Sequence, residues 1–94
     1  MQLELVLRSL HRIVVYSKVG CHLCERAIAV LRSSPANLEL QVTDIANDPK
    51  IFKEYYLSIP VVEINGEVLF QASDINKCDD IEKKLREILR RLDE

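Results

Sequence analysis

The sequence predicts an α/β domain, a four-stranded mixed sheet flanked by helices in the order strand, helix, strand, helix, strand, strand, helix. Three observations carry that expectation. Short β-rich runs at 13–17, 38–44 and 59–70 alternate with segments of helical period. Asn65–Gly66, a dipeptide suited to a turn with positive φ at both residues, joins the last two strands as a hairpin. A final amphipathic stretch repeats apolar residues at helical spacing.

Each element has a local reason. "IVVYS" at 13–17 is a continuous, β-branched run of the kind that suits a strand covered on both faces. "CHLCERAIAVLRSS" follows as a helix, with Leu23, Ala27, Val30 and Leu31 along one side, and Ser33, Ser34 and Pro35 end it. "LELQVTD" alternates Leu38, Leu40 and Val42 with polar residues, as a strand with one better-buried face should. In "NDPKIFKEYY", Asn47 or Asp48 caps a helix whose first turn accepts Pro49. The closing helix is expected to start at Ser73 or Asp74, with Ile75, Cys78, Ile81, Leu85, Ile88, Leu89 and Leu92 as its apolar stripe. The first two strands, joined through a helix, should be parallel with a right-handed crossover. Residues 1–12 fit a strand and a helix equally well.

Composition bounds the function. A chain of 94 residues has the length of one domain, and an apolar content of 48% argues for a folded core. The net charge of −2 comes from interspersed acids and bases, which excludes a nucleic-acid stripe and a polybasic membrane patch. "MQLELVLRSLHR" carries Glu4 and Arg8 within its apolar run, too interrupted for a signal peptide, and no span approaches membrane-crossing length. The expectation is a cytoplasmic monomer that binds neither nucleic acid nor membrane. Thiols in that compartment stay reduced, so a close cysteine pair points to redox chemistry or metal binding.

The pair is Cys21 and Cys24, inside "VYSKVGCHLCERA". Cys21 falls where a strand ends and a helix begins. Unpaired amides and the helix dipole there favour a thiolate, lowering cysteine pKa values to roughly 3.5–7.5 from about 8.5. Cys24, nearly one turn on, lies beside it and deeper. A low-pKa thiol with a second thiol in reach is what dithiol exchange requires. Zinc sites use the same spacing, but the remaining ligand candidates are His11, His22 and Cys78, and no second ligand pair appears. Two buried cysteines packing as small hydrophobes are the third reading.

Taken together, "YSKVGCHLC" at 16–24, Ile59–Pro60, the "VVEINGEVLF" hairpin and Asp74 resemble the glutaredoxin-like branch of the thioredoxin superfamily over residues 13 to about 92. The resemblance implies a thioredoxin-like fold across one glutaredoxin-like domain, 1–94. It implies that Cys21 is the nucleophile and Cys24 the resolving thiol. It also implies that Pro60 is cis and faces them, leaving the Ile59 backbone to pair with a peptide or glutathione. Lys18 matches a lysine that helps hold glutathione's glycine carboxylate. Asp74 matches an acidic position that meets the ligand's α-amino group, and it would equally serve as a helix cap.

Two departures stand out. Glutaredoxins usually place proline and an aromatic between the cysteines, where this chain has His22 and Leu23. An imidazolium at His22 would favour the neighbouring thiolate further. Where typical members carry Gly-Gly after the hairpin, this chain has Phe70 and Gln71, whose side chains would narrow a glutathione groove. The implied function is a thiol–disulfide oxidoreductase acting on protein disulfides or glutathione mixed disulfides. It would take electrons from glutathione or a protein reductase and hold no metal or organic prosthetic group. The alternatives are an iron–sulfur cluster-binding protein of the same family and a thioredoxin-fold binding domain without turnover.

Overall fold

The β-branched run after residue 10 forms the first strand, β1 (His11–Ser17), two residues longer than its apolar core suggests. The computed structural model describes residues 10–34, 37–74 and 80–92, apart from the side chain of residue 74. Helix α1 (His22–Arg32) follows, then β2 (Leu38–Asp44), a 3₁₀ turn (Ile45–Asn47) and α2 (Pro49–Tyr55). The hairpin strands are β3 (Val61–Ile64) and β4 (Glu67–Gln71); a second 3₁₀ turn (Ala72–Asp74) and α3 (Ile81–Leu92) complete the chain. Strand order is β2-β1-β3-β4, with β1 parallel to β2 and antiparallel to β3, and β3 antiparallel to β4. This is the mixed four-stranded α/β arrangement of a thioredoxin-like fold.

The core lies between one sheet face and helices α1 and α3. Ile13, Val15, Val62, Ile64 and Phe70 from the sheet meet Ala27, Val30 and Leu31 of α1 and Ile81, Leu85 and Leu89 of α3. Arg26 of α1 reaches Glu82 of α3 at 3.2 Å across the outer edge of that layer. Two expectations for buried faces change. Leu23 is 41% exposed, and the inward face of α1 runs through Cys24, Ala27, Val30 and Leu31 instead. Val42 is equally exposed, on β2, which is an edge strand of the sheet. The opposite sheet face carries Tyr16, whose ring packs 5.0 Å from Tyr55 of α2.

Asp48 is the residue that caps α2, its carboxylate accepting from the amides of Lys50 and Ile51 at 2.9 and 3.4 Å. The hairpin turns on Asn65 (φ 51°) and Gly66 (φ 89°), as the dipeptide predicts. A register irregularity between Val62 and Glu63 had no sequence signal. The start of the last helix differs most. Residues 72–74 form a separate 3₁₀ turn, and α3 begins at Ile81, where the Asp80 carboxylate accepts from the Glu82 and Lys83 amides at 2.9 and 3.4 Å. The helical periodicity runs through Ile75 and Cys78, but periodicity does not locate a start, and Asp80 offers the same capping chemistry as Asp74. Ile75 and Cys78, and residues 1–9, lie outside the described residues.

Candidate active site

The cysteines sit where β1 hands the chain to α1. Ser17 ends the strand, and Lys18, Val19 and Gly20 make the turn. Gly20 takes φ +86°, a left-handed conformation open to glycine without strain. The turn is closed by the Cys21 amide donating to the Lys18 carbonyl at 3.2 Å. Cys21 is then the residue before the first helical position. Its carbonyl accepts from Glu25 N at 3.1 Å, and its sulfur accepts from the Cys24 amide at 3.2 Å. The sulfur thus occupies the capping place of a side-chain oxygen, among amides with no helical partner.

Cys21 and Cys24 form a disulfide, with their Cα atoms 5.2 Å apart. The two sulfur-bearing residues differ sharply in access. Cys21 is half-buried, while Cys24 is 1% exposed, on the core side of α1. One end of the pair faces outward and the other inward.

His22 projects into solvent, its side chain 93% exposed, with Nδ1 3.7 Å from the Glu25 carboxylate. The Lys18 ammonium stands over the Phe52 ring, 5.6 Å from its centroid, a cation–π placement that ties the turn to α2. The Ile59–Pro60 peptide bond is cis, and Pro60 is buried. Ala72 N donates to the carbonyls of both Ser58 and Pro60, at 3.0 and 3.1 Å, tying this loop to the end of β4. Asp74 ends the second 3₁₀ turn and is not the cap of α3; its side chain lies outside the described residues.

Several features carried too little local signal to be found in advance. Exposed apolar side chains include Val19 in the turn before Cys21, and Tyr56 and Leu57 in the segment leading to Ile59. Phe52 and Tyr56 stack with centroids 5.5 Å apart, a pairing that their spacing of four on a helix permits. On the sheet face away from the cysteines, the Tyr16 hydroxyl donates to Glu63 at 3.1 Å. Burial, followed by that hydrogen bond and the Glu63 charge, pushes the Tyr16 phenol above its ordinary pKa; burial and nearby Glu54 do the same for Tyr55. A hollow of about 340 Å³ on the β2 side of α1 is lined by Ser17, Lys18, Cys24, Glu25 and Asp44 among others. Among the described residues, no group of three or more His, Cys, Asp or Glu side chains is arranged to hold a metal ion. Nor is any described helix long and apolar enough to cross a membrane.

The arrangement suits sulfur exchange: an outward sulfur held by a helix-start amide, linked to an inward one. No curated protein matches the chain. Among solved structures, Northeast Structural Genomics target protein XcR50 from X. campestris is similar at 26% identity. That match covers 65% of this chain and 85% of that one, with a TM-score of 0.49. The family described as "Glutaredoxin-like domain (DUF836)" matches residues 12–86. That span runs from the first strand into the last helix and encloses Cys21, Cys24 and Pro60, and the chain belongs to the glutaredoxin-like domain family.

Proposed function

We propose that this protein is a thiol–disulfide oxidoreductase that reduces disulfides through Cys21 and Cys24. The observation that carries the reading is the asymmetry of the pair: Cys21 at the helix start with its sulfur accepting an amide hydrogen bond, and Cys24 bonded to it but buried. A hydrogen bond to the charged form favours it, so the amide that contacts the sulfur in the disulfide favours a thiolate after reduction.

In this reading the Cys21 thiolate attacks one sulfur of a substrate disulfide. The first substrate thiol leaves, and a mixed disulfide remains on Cys21. Cys24 then attacks the Cys21 sulfur, forming the Cys21–Cys24 disulfide and releasing the second substrate thiol. Two electrons pass from the protein to the substrate, and a thiol reductant, glutathione or a protein reductase, restores the dithiol. Ile59 supplies backbone groups for an extended substrate segment; its N–H and C=O have no partners among the described residues. Pro60 holds that segment's edge, while Lys18, His22 and Asp74 provide charge around the bound thiol. Protein disulfides and glutathione mixed disulfides are the proposed substrates and the cytoplasm the proposed compartment. The domain needs no metal or prosthetic group for this exchange.

A disulfide-reduction assay run in parallel with glutathione and with a reductase tests it. Cys21→Ser should be inactive with both, and Cys24→Ser should lose protein-disulfide reduction while retaining turnover of glutathione mixed disulfides. The Cys21 thiol should titrate well below about 8.5, the ordinary cysteine value. Full activity in Cys21→Ser, or an ordinary titration there, would remove the basis of the reading.

A further inference from the structure

We propose that Phe52 is a positioning residue that sets the charge of the redox site. Its ring holds the Lys18 ammonium beside the turn into Cys21 without cancelling the charge, and the site thereby selects disulfides and thiol reagents that carry a negative charge. This rests on the oxidoreductase reading for its substrates, and it names the residue that places the charge of Lys18.

Phe52 has no part in the core. No residue of α2 is buried, and Phe52 is absent from the cluster that joins the sheet to α1 and α3. What its half-buried ring meets instead is Lys18, whose Nζ stands 5.6 Å from the centroid, and Tyr56, stacked at 5.5 Å with the planes 7° apart. The helix puts the two rings together. Phe52 N donates to the Asp48 carbonyl at 2.8 Å and Tyr56 N to the Phe52 carbonyl at 2.9 Å, so residues 52 and 56 stand one turn apart on one side of α2.

Lys18 belongs to the turn that presents the outward cysteine, because its carbonyl accepts the Cys21 amide at 3.2 Å. A carboxylate partner would fix an ammonium but neutralise it for anything approaching. The face of an aromatic ring attracts a cation through its quadrupole and carries no net charge of its own. Lys18 has the second kind of partner only. Glu25 and Asp44 line the same hollow as Lys18. The Glu25 carboxylate lies beside His22, the Asp44 carboxylate accepts from Ala46 N, and neither forms an ion pair with the lysine. A reagent reaching Cys21 past α2 therefore meets a positive charge that is held and unpaired. A lysine already in position loses less freedom on meeting an anion than one that samples many rotamers, so the ring strengthens the attraction.

Iodoacetate and iodoacetamide alkylate the same thiolate and differ in the charge of the arriving reagent. Their rates at Cys21 are read by mass spectrometry of the Cys21 peptide, and each is divided by the rate with 2-mercaptoethanol. The ratio of the two gives a charge preference from which the reactivity of the thiolate itself cancels. Reduced wild-type protein should favour iodoacetate about fivefold. Added salt should shrink that preference. Lys18→Met should abolish it. Phe52→Leu, which keeps an apolar side chain and removes the ring, should lower it about threefold. Phe52→Tyr, which keeps the ring, should hold the wild-type value. Lys53→Met removes a cation of α2 that makes no cation–π contact among the described residues, and it should match wild type. In a Lys18→Met background, Phe52→Leu should change nothing further, because its effect passes through the lysine. Ellman's reagent, a dianionic disulfide, and an uncharged dipyridyl disulfide should rank the variants in the same order.

A wild-type preference in Phe52→Leu would overturn the assignment. So would a Phe52→Tyr value as low as that of Phe52→Leu, or an equal loss when Phe52→Leu is added to Lys18→Met. If Phe52→Leu does not fold, NMR of the wild-type protein decides. Lys18 ε-methylene protons shifted upfield by the ring current support the placement, and ordinary lysine shifts overturn it. Failure of the oxidoreductase reading looks different: reduced protein leaves both disulfides intact, while the alkylation preference still reports on Phe52 and Lys18.

Discussion

Tyr16 shows how one residue couples burial to pH. Its hydroxyl donates to Glu63 on the sheet face away from the cysteines, and burial of its ring against Tyr55 favours the neutral phenol. In the fold, Tyr16 and Tyr55 therefore keep their protons at a pH where the unfolded chain has lost them. Above about pH 10, the unfolded value, the unfolded state binds fewer protons, and stability falls as pH rises through the higher folded values. Below that range the contribution is fully present. Tyr16→Phe should lose about 0.5–1 kcal/mol near neutral pH with the hydrogen bond. Its alkaline decline in urea midpoint should also be shallower than that of wild type. Parallel declines in the two proteins would show that Tyr16 does not carry the effect.

Among elements, the β3–β4 hairpin depends most on backbone conformation. Its turn is tied to the start of β1: Arg12 N donates to the Asn65 side chain at 2.9 Å, and Asn65 N donates to the Arg12 carbonyl at 2.8 Å. The turn fixes which residues of β3 face the core and holds Pro60 at the entry to the same strand. Gly66 at φ +89° has open space where a Cβ would stand, so a side chain there is penalised by conformation alone. Gly66→Ala should cost about 1–2 kcal/mol in urea unfolding. The rate of disulfide reduction should stay at the wild-type value, because the turn lies at the far end of β3 from Pro60. A loss under 0.3 kcal/mol, on the order of experimental error, would place the turn outside the stability of the sheet.

At the scale of the whole molecule, one apolar layer fastens the site to the rest. Cys24, Ala27, Val30 and Leu31 are the buried face of α1, and the last three pack with α3 and the sheet. Leu85 lies in that layer, 1% exposed. Leu85→Ala should therefore cost about 2–5 kcal/mol through lost burial and the cavity left behind, out of a total on the order of 5–15 kcal/mol. Leu57→Ala, at a residue 78% exposed, should stay within about 0.5 kcal/mol. Comparable losses for the two, measured by urea midpoint, would refute this assignment of the core.

Local chemistry made much of this protein legible in its sequence. β-Branched runs, the Asp48–Pro49 helix start and Asn65–Gly66 act within a few residues, so the strands, α2 and the hairpin could be read in order. The Cys-x-x-Cys spacing and its place between strand and helix identified the candidate site in the same way. The start of α3 was not legible, because capping residues recur at 73, 74 and 80 and local chemistry does not choose among them. Nor was the exposure of Leu23 and Val42, which depends on where α1 rotates and which strand lies at the edge. Ser17 reads as the polar end of a strand; only pairing with β2 sets it beside Asp44 and opens both to the hollow behind Cys24. The sequence by itself determined the elements and the reactive pair, because short-range backbone preference and spacing decide them. The depth of Cys24, the start of the last helix and the company of Ser17 were decided by tertiary structure, because they depend on contacts between residues far apart in the chain.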